Sequence, residues 1–66
     1  MSDKEIRLQK LIEHWIGHNE EHRARFEEVA SEALETGLIR VAENLESAAK
    51  MAGEVSKFLR RALEAF

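Results

Sequence analysis

Large apolar residues in the first half of the chain recur at alternating steps of three and four positions. This spacing places side chains on one face of an α-helix. The series has two polar members, Asn19 and His22, and runs through Leu8, Ile12, Trp15, Asn19, His22, Phe26, Val29 and Ala33. After Gly37 a second, wholly apolar series follows: Leu38, Val41, Leu45, Ala48, Ala52, Val55, Leu59, Ala62 and Phe66. The pattern predicts two long amphipathic helices, the first with a polar interruption in its apolar seam.

Capping residues mark where these helices begin and end. In the segment Ser-Asp-Lys-Glu, Ser2 can accept a hydrogen bond from the backbone N–H of Glu5, which predicts a first helix at about residues 3–35. Gly37 stands where a left-handed residue would end it, so the turn is predicted at about 36–37 and the second helix at about 38–65. Helices joined by so short a turn lie antiparallel. The predicted fold is all-α, with residues 1–66 forming a single domain that is an antiparallel two-helix hairpin.

The register of this hairpin predicts which residues meet and which remain outside. Reflection about Gly37 places His22 against Ala52, and Asn19 between Ala52 and Val55. Four apolar residues fall outside both seams and would stay exposed in a monomer: Ile16, Leu34, Met51 and Phe58. Exposed apolar patches of this kind mark interfaces. We therefore expect two hairpins to associate into a homodimeric four-helix bundle.

Composition narrows the classes of partner. The chain has 66 residues and no Cys, so neither disulfides nor thiolate metal sites can stabilise its small core. Ten Lys and Arg against thirteen Asp and Glu give a net charge of −3, which argues against nucleic acid as a partner. No stretch resembles a signal peptide or approaches the ~20 apolar residues of a membrane span. We therefore expect a cytoplasmic protein without a membrane partner.

The candidate chemistry lies in residues 14–22, which hold all three histidines and the only tryptophan. His14, His18 and His22 are spaced four apart, so neighbouring pairs lie one turn apart and can chelate a divalent metal ion. A site would use His14 with His18, or His18 with His22, because the outer two are about 12 Å apart along the helix. Glu21 lies near His14 and His18 and can add a carboxylate. Water or a second chain would complete the coordination.

Two interpretations of this segment stay open. In the first, the histidines bind a metal ion, and Asn19 is a further ligand or supports one. In the second, the protein is a metal-free structural or adaptor bundle in which Asn19 and His22 form a buried polar layer that fixes register. The Glu-x-x-His pattern of di-iron helices, the His-Glu-x-x-His pattern of zinc peptidases and Gly-rich phosphate loops are all absent. We therefore expect no enzymatic activity.

The histidine block also carries a resemblance. His14-Trp15, His18-Asn19 and His22 are separated by two residues each and precede an acidic, Ala-rich hairpin with a Gly turn. This pattern resembles a family of short prokaryotic helical-hairpin domains of unassigned function, over roughly residues 8–63. Some of those domains are associated with nickel-binding accessory proteins of carbon monoxide dehydrogenase, so the resemblance implies nickel or a similar ion. Imidazole and carboxylate ligands suit nickel, zinc and cobalt alike, and we expect one of these three.

Overall fold

The computed structural model describes residues 2–66, and within them the chain forms two α-helices. Helix α1 spans Asp3–Glu35 and helix α2 spans Ile39–Glu64. The side chain of Ser2 accepts a hydrogen bond of 3.1 Å from the backbone N–H of Glu5, which is the predicted cap. The helices pack against each other as a hairpin about 53 Å long. The predicted all-α helical hairpin is confirmed.

The turn between the helices is a Schellman motif built around Gly37. This residue has a φ of 79°, a left-handed conformation that is costly for residues with a Cβ atom. Its N–H donates to the carbonyl oxygen of Leu34, and the N–H of Leu38 donates to that of Ala33, at 3.0 and 2.8 Å. These two bonds satisfy carbonyl groups that the end of α1 would otherwise leave unpaired. The chain therefore reverses direction within a few residues.

The contact between the helices is formed mainly by small side chains. Six of the residues that the structure describes are buried: Ala30, Ala33, Ala42, Ala49, Ala52 and Ser56. None of them is larger than serine, and Gly53 adds a further position without a side chain. Small residues let two helix backbones approach closely, but each contributes little apolar area. The hairpin therefore has a thin core.

The helices are rotated relative to the predicted seam. His22 was predicted to face Ala52, and this is wrong, because His22 is exposed. Trp15 and Val55, also predicted in the seam, are 47% and 49% exposed, whereas Ile16, predicted outside it, is half-buried. The cause lies in side-chain size. The positions that face the other helix carry alanine, serine and glycine on α2, and these permit a closer approach than the larger residues one step around each helix.

Other predictions about exposure are confirmed. Leu34, Met51 and Phe58 are 47%, 57% and 60% exposed, as expected for apolar residues outside the hairpin contact. Neither helix carries an apolar stretch long enough to cross a membrane within the part of the chain that the structure describes.

Candidate functional site

The three histidines form a ladder along the exposed side of α1. The ring centroids of His14 and His18 are 5.9 Å apart, and those of His18 and His22 are 4.7 Å apart with the rings stacked. The ladder continues to Phe26, whose ring lies 6.1 Å from that of His22. This arrangement follows from the four-residue spacing, which brings side chains of successive turns together.

Of the three histidines, His18 and His22 approach each other most closely. The Nε2 atoms of His18 and His22 are 3.1 Å apart, within hydrogen-bonding distance. One ring must then present an unprotonated nitrogen to the other, because two N–H groups cannot bond to each other. The same separation suits a chelate: two imidazole nitrogens each about 2.0–2.1 Å from one metal ion lie about 2.9–3.4 Å apart in octahedral or tetrahedral geometry. The distance between the two nitrogen atoms is therefore the distance expected of a chelating pair.

His18 lies between two surface recesses. On one side is a groove between the helices, with a volume of about 470 Å³, lined by Trp15, His18, Asn19, His22, Val55 and Leu59. On the other is a depression of about 350 Å³ on the outer side of α1, lined by Glu13, His14, Gly17, His18 and Glu21. Glutamate and histidine side chains line the depression, and the surface of the groove is mostly apolar. The predicted ligands are therefore divided between two surfaces that share His18.

The four predicted ligands, His14, His18, His22 and Glu21, do not converge on one point. Within residues 2–66, no three His, Asp or Glu side chains are grouped so that they could hold a metal ion. The structure brings His18 and His22 into direct contact and places His14 and Glu21 around the neighbouring depression. One hairpin thus supplies a pair of nitrogen ligands.

Beside the histidines, Asn19 links the two helices. Its side-chain amide donates to the backbone oxygen of Ala52 at 2.7 Å and to the hydroxyl oxygen of Ser56 at 2.8 Å. The Ser56 hydroxyl is completely buried and donates in turn to the Glu20 carboxylate at 2.6 Å. Asn19 was predicted to lie between Ala52 and Val55, and it lies against Ala52 and Ser56. The polar interruption of the seam is therefore a hydrogen-bonded contact between the helices.

The charged end of this network sits on the side of α1 away from the groove. Arg23 lies 3.5 Å from the Glu20 carboxylate and 3.8 Å from that of Glu27. The hydrogen bond from Ser56 lowers the pKa of Glu20 below its ordinary value of 4.5, and the positive charges of Arg23 and Arg60 act in the same direction. Glu20 therefore carries its negative charge into mildly acidic conditions.

Sequence reasoning missed Glu20 and Arg23 as members of this network. The Arg23 guanidinium lies over Gly53, where a Cβ atom would stand 3.1 Å from its central carbon. Glycine leaves room there for the arginine to cross the helix contact. The sequence contains one signal for this network, the polar residues Glu20, Arg23 and Glu27, which have helical spacing. Such a series normally indicates a solvent-exposed face, and only the orientation of α1 shows that part of it contacts α2.

Comparison with known proteins places the chain in a family. The family model described as "Domain of unknown function (DUF8180)" matches residues 8–66, which include the whole histidine block. The chain belongs to this family. A relative from Archaeoglobus fulgidus, described as an uncharacterized protein, is 41% identical over 58 residues, which are 88% of this chain and 92% of that protein. No solved structure matches the chain. The family description agrees with the unassigned function that the resemblance implied.

Proposed function

We propose that this protein is a small self-associating helical bundle that binds a divalent transition metal ion through histidines of α1. The observation that supports this function is the 3.1 Å separation of the His18 and His22 Nε2 atoms. Both rings are exposed, so an ion can reach them without opening the fold. The spacing fits a chelating pair before any ion is bound, which reduces the reorganisation that binding would require.

The remaining predicted ligands have supporting positions. His14 and Glu21 line the depression next to His18, where a carboxylate can neutralise part of the charge of a bound cation. Asn19 lines the groove beside the pair, but its amide is held by Ala52 and Ser56. Two imidazoles suit nickel, zinc or cobalt, and the resemblance stated above favours nickel among them.

Titration calorimetry with Ni²⁺, Zn²⁺ and Co²⁺ tests the proposal. We expect the native chain to bind at least one of these ions and the His18→Ala and His22→Ala variants to lose that binding. His14→Ala removes the neighbouring imidazole that lies outside the close pair, so it is the matched control and should retain binding. Loss of binding in all three variants would show that His14 is also needed for binding. No binding by the native chain would refute the proposal.

A second candidate function is a structural or adaptor bundle without an ion, and the hydrogen bonds of Asn19 favour it. An amide in an otherwise apolar contact fixes the register of packed helices at some expense of stability. The double variant Asn19→Leu, His22→Leu should then raise the melting temperature and broaden the range of oligomers. A chelator should leave the native oligomer unchanged under this hypothesis. A lower melting temperature with an unchanged oligomer would count against it.

A further inference from the structure

Some of the large apolar residues that the hairpin contact leaves outside lie on one face of the molecule. On α1 this face follows a seven-residue series through Leu8, Trp15, His22 and Val29, and on α2 a matching series runs through Val41, Ala48 and Val55. We call these seven residues the heptad face. Leu8, Trp15, Val41 and Val55 are between 36% and 49% exposed. Residues seven apart lie on one side of a helix, so each series is a continuous stripe.

The two stripes lie on the same side of the hairpin. Trp15 and His22 of α1 line one groove together with Val55 of α2. Val29 of α1 and Val41 of α2 line a second groove nearer the turn. Each groove therefore has one wall from each stripe. On each helix, the heptad face and the hairpin contact occupy adjacent sides, as they do in a helix that has two neighbours in a four-helix bundle.

The accessible surface of the hairpin indicates how much area a second molecule would cover. The hairpin has an accessible surface of 5076 Å². A folded monomer of 7.6 kDa would expose about 4,300 Å² on the general scaling of surface with mass. The excess, about 800 Å², equals the area that one partner contributes to a protein interface of standard size. The occupant that this area and the repeating stripes fit is a second copy of the chain.

The histidine pair lies at the middle of this face. Asn19 is the central residue of the 33-residue helix α1, so His18 and His22 lie within one turn of its midpoint. A two-fold axis that crosses the hairpin at mid-length pairs the face with itself over its full length and sets α1 of one copy against α1 of the other. This arrangement keeps mid-helix residues of the two copies at the same height. The histidine pairs of the two copies then lie opposite each other.

From these observations we infer that two copies of the chain dock through the heptad face and share one metal ion between their His18–His22 pairs. The inference rests on the proposed metal-binding function and specifies where the missing ligands come from. Among residues 2–66 of one hairpin, His18 and His22 form a close pair and no three His, Asp or Glu side chains are grouped to hold an ion, whereas two hairpins offer four imidazoles. Four nitrogen ligands complete a tetrahedral shell, which suits zinc and cobalt, and nickel would add water to reach a higher coordination number.

Measurements on the native chain test the shared site first. We expect a dimer in sedimentation equilibrium, one Zn²⁺ or Co²⁺ bound for every two chains, and a visible spectrum typical of four-coordinate Co²⁺. Trp15 is the only tryptophan and lies on the heptad face, so its emission should shift to shorter wavelength as the protein concentration rises. A native monomer would overturn the inference. A dimer that binds one ion per chain would overturn the shared site alone, and the proposed metal-binding function would stand.

Matched variants separate the face from the ligands. Val55→Glu places a charge on the heptad face, and Ile39→Glu places one at a residue of nearly equal exposure, 50%, that lines neither groove. We expect Val55→Glu to be monomeric and to lose the shared site, and Ile39→Glu to behave as the native chain. If Val55→Glu stays dimeric with native stoichiometry, the inference is wrong. Failure of the native dimer to bind any ion would refute the proposed function and the shared site together.

Discussion

At the scale of single residues, the hairpin depends on the hydroxyl group of Ser56. This group is completely buried, accepts a hydrogen bond from Asn19 and donates one to Glu20. We expect Ser56→Ala to lower the free energy of unfolding by about 1–2 kcal/mol, because both partners lose a bond inside the helix contact. Urea denaturation at a fixed protein concentration measures this loss. Ser47→Ala, at an exposed position of α2, is the control and should be neutral or slightly stabilising.

Glu20 gives this network a dependence on pH. Its pKa in the folded protein lies below 4.5, chiefly because Ser56 donates a hydrogen bond to the carboxylate. The carboxylate therefore contributes its full stabilisation above the unfolded-state pKa, and that stabilisation is lost as the pH falls through the lowered folded-state pKa.

A comparison of the native chain with Glu20→Gln checks this sign. The difference in melting temperature should be constant near neutral pH and should shrink as the pH falls below about 4.5. Glu54→Gln removes an exposed carboxylate of α2 and serves as the control. A difference that grows on acidification would contradict the assignment of Glu20.

The residues of the candidate site were predictable to different degrees. Spacing alone placed the three histidines one turn apart, because the helix fixes that geometry. It could not show that His18 and His22 approach each other more closely than His14 and His18, since that depends on side-chain rotamers. The partner of Asn19 was predicted to within one residue on α2. The exposure of His22 was not predicted, because it depends on which of two adjacent sides of α1 packs against α2.

At the scale of helices and turns, replacement by alanine should have opposite effects on stability at Gly17 in α1 and at Gly37 in the turn. Gly37 has a φ of 79°, so Gly37→Ala should destabilise the hairpin by about 1–2 kcal/mol although nothing would touch the new Cβ atom. Gly17 is inside α1 with open space around it, so Gly17→Ala should stabilise the helix by about 1 kcal/mol. Thermal unfolding followed by circular dichroism measures both. Equal effects of the two changes would show that the turn conformation is not the constraint.

The helices and their turn were the most predictable part of the fold. A period of 3.5 residues, a serine cap and a single glycine between two apolar series determine helix, boundary and turn through local chemistry. The rotation of the helices depends on which of two adjacent apolar sides packs inward. The seam contained members of both sides, Ala52 and Val55 among them, and only the close fit of small residues distinguishes the inner side. A pattern with apolar residues on two adjacent sides is itself typical of a helix with two neighbours.

At the scale of the whole molecule, the thin core bears on how stability depends on concentration. The six buried residues among residues 2–66 are all small, and the large apolar residues of the heptad face, Leu8, Trp15, Val41 and Val55, are between 36% and 49% exposed. If a second copy covers that face, folding and association are coupled, and each tenfold rise in protein concentration stabilises the folded dimer by about 1.4 kcal/mol.

For a dimer of two 66-residue chains, this coupling should raise the melting temperature by roughly 3–6 °C for each tenfold increase in concentration. Circular dichroism over a hundredfold range of concentration measures the shift, and Val55→Glu should abolish it while lowering the melting temperature. Ile39→Glu should keep the native dependence, since that residue lines neither groove. A melting temperature independent of concentration would mean that the small residues between α1 and α2 hold the hairpin together unaided, and that the heptad face has another role.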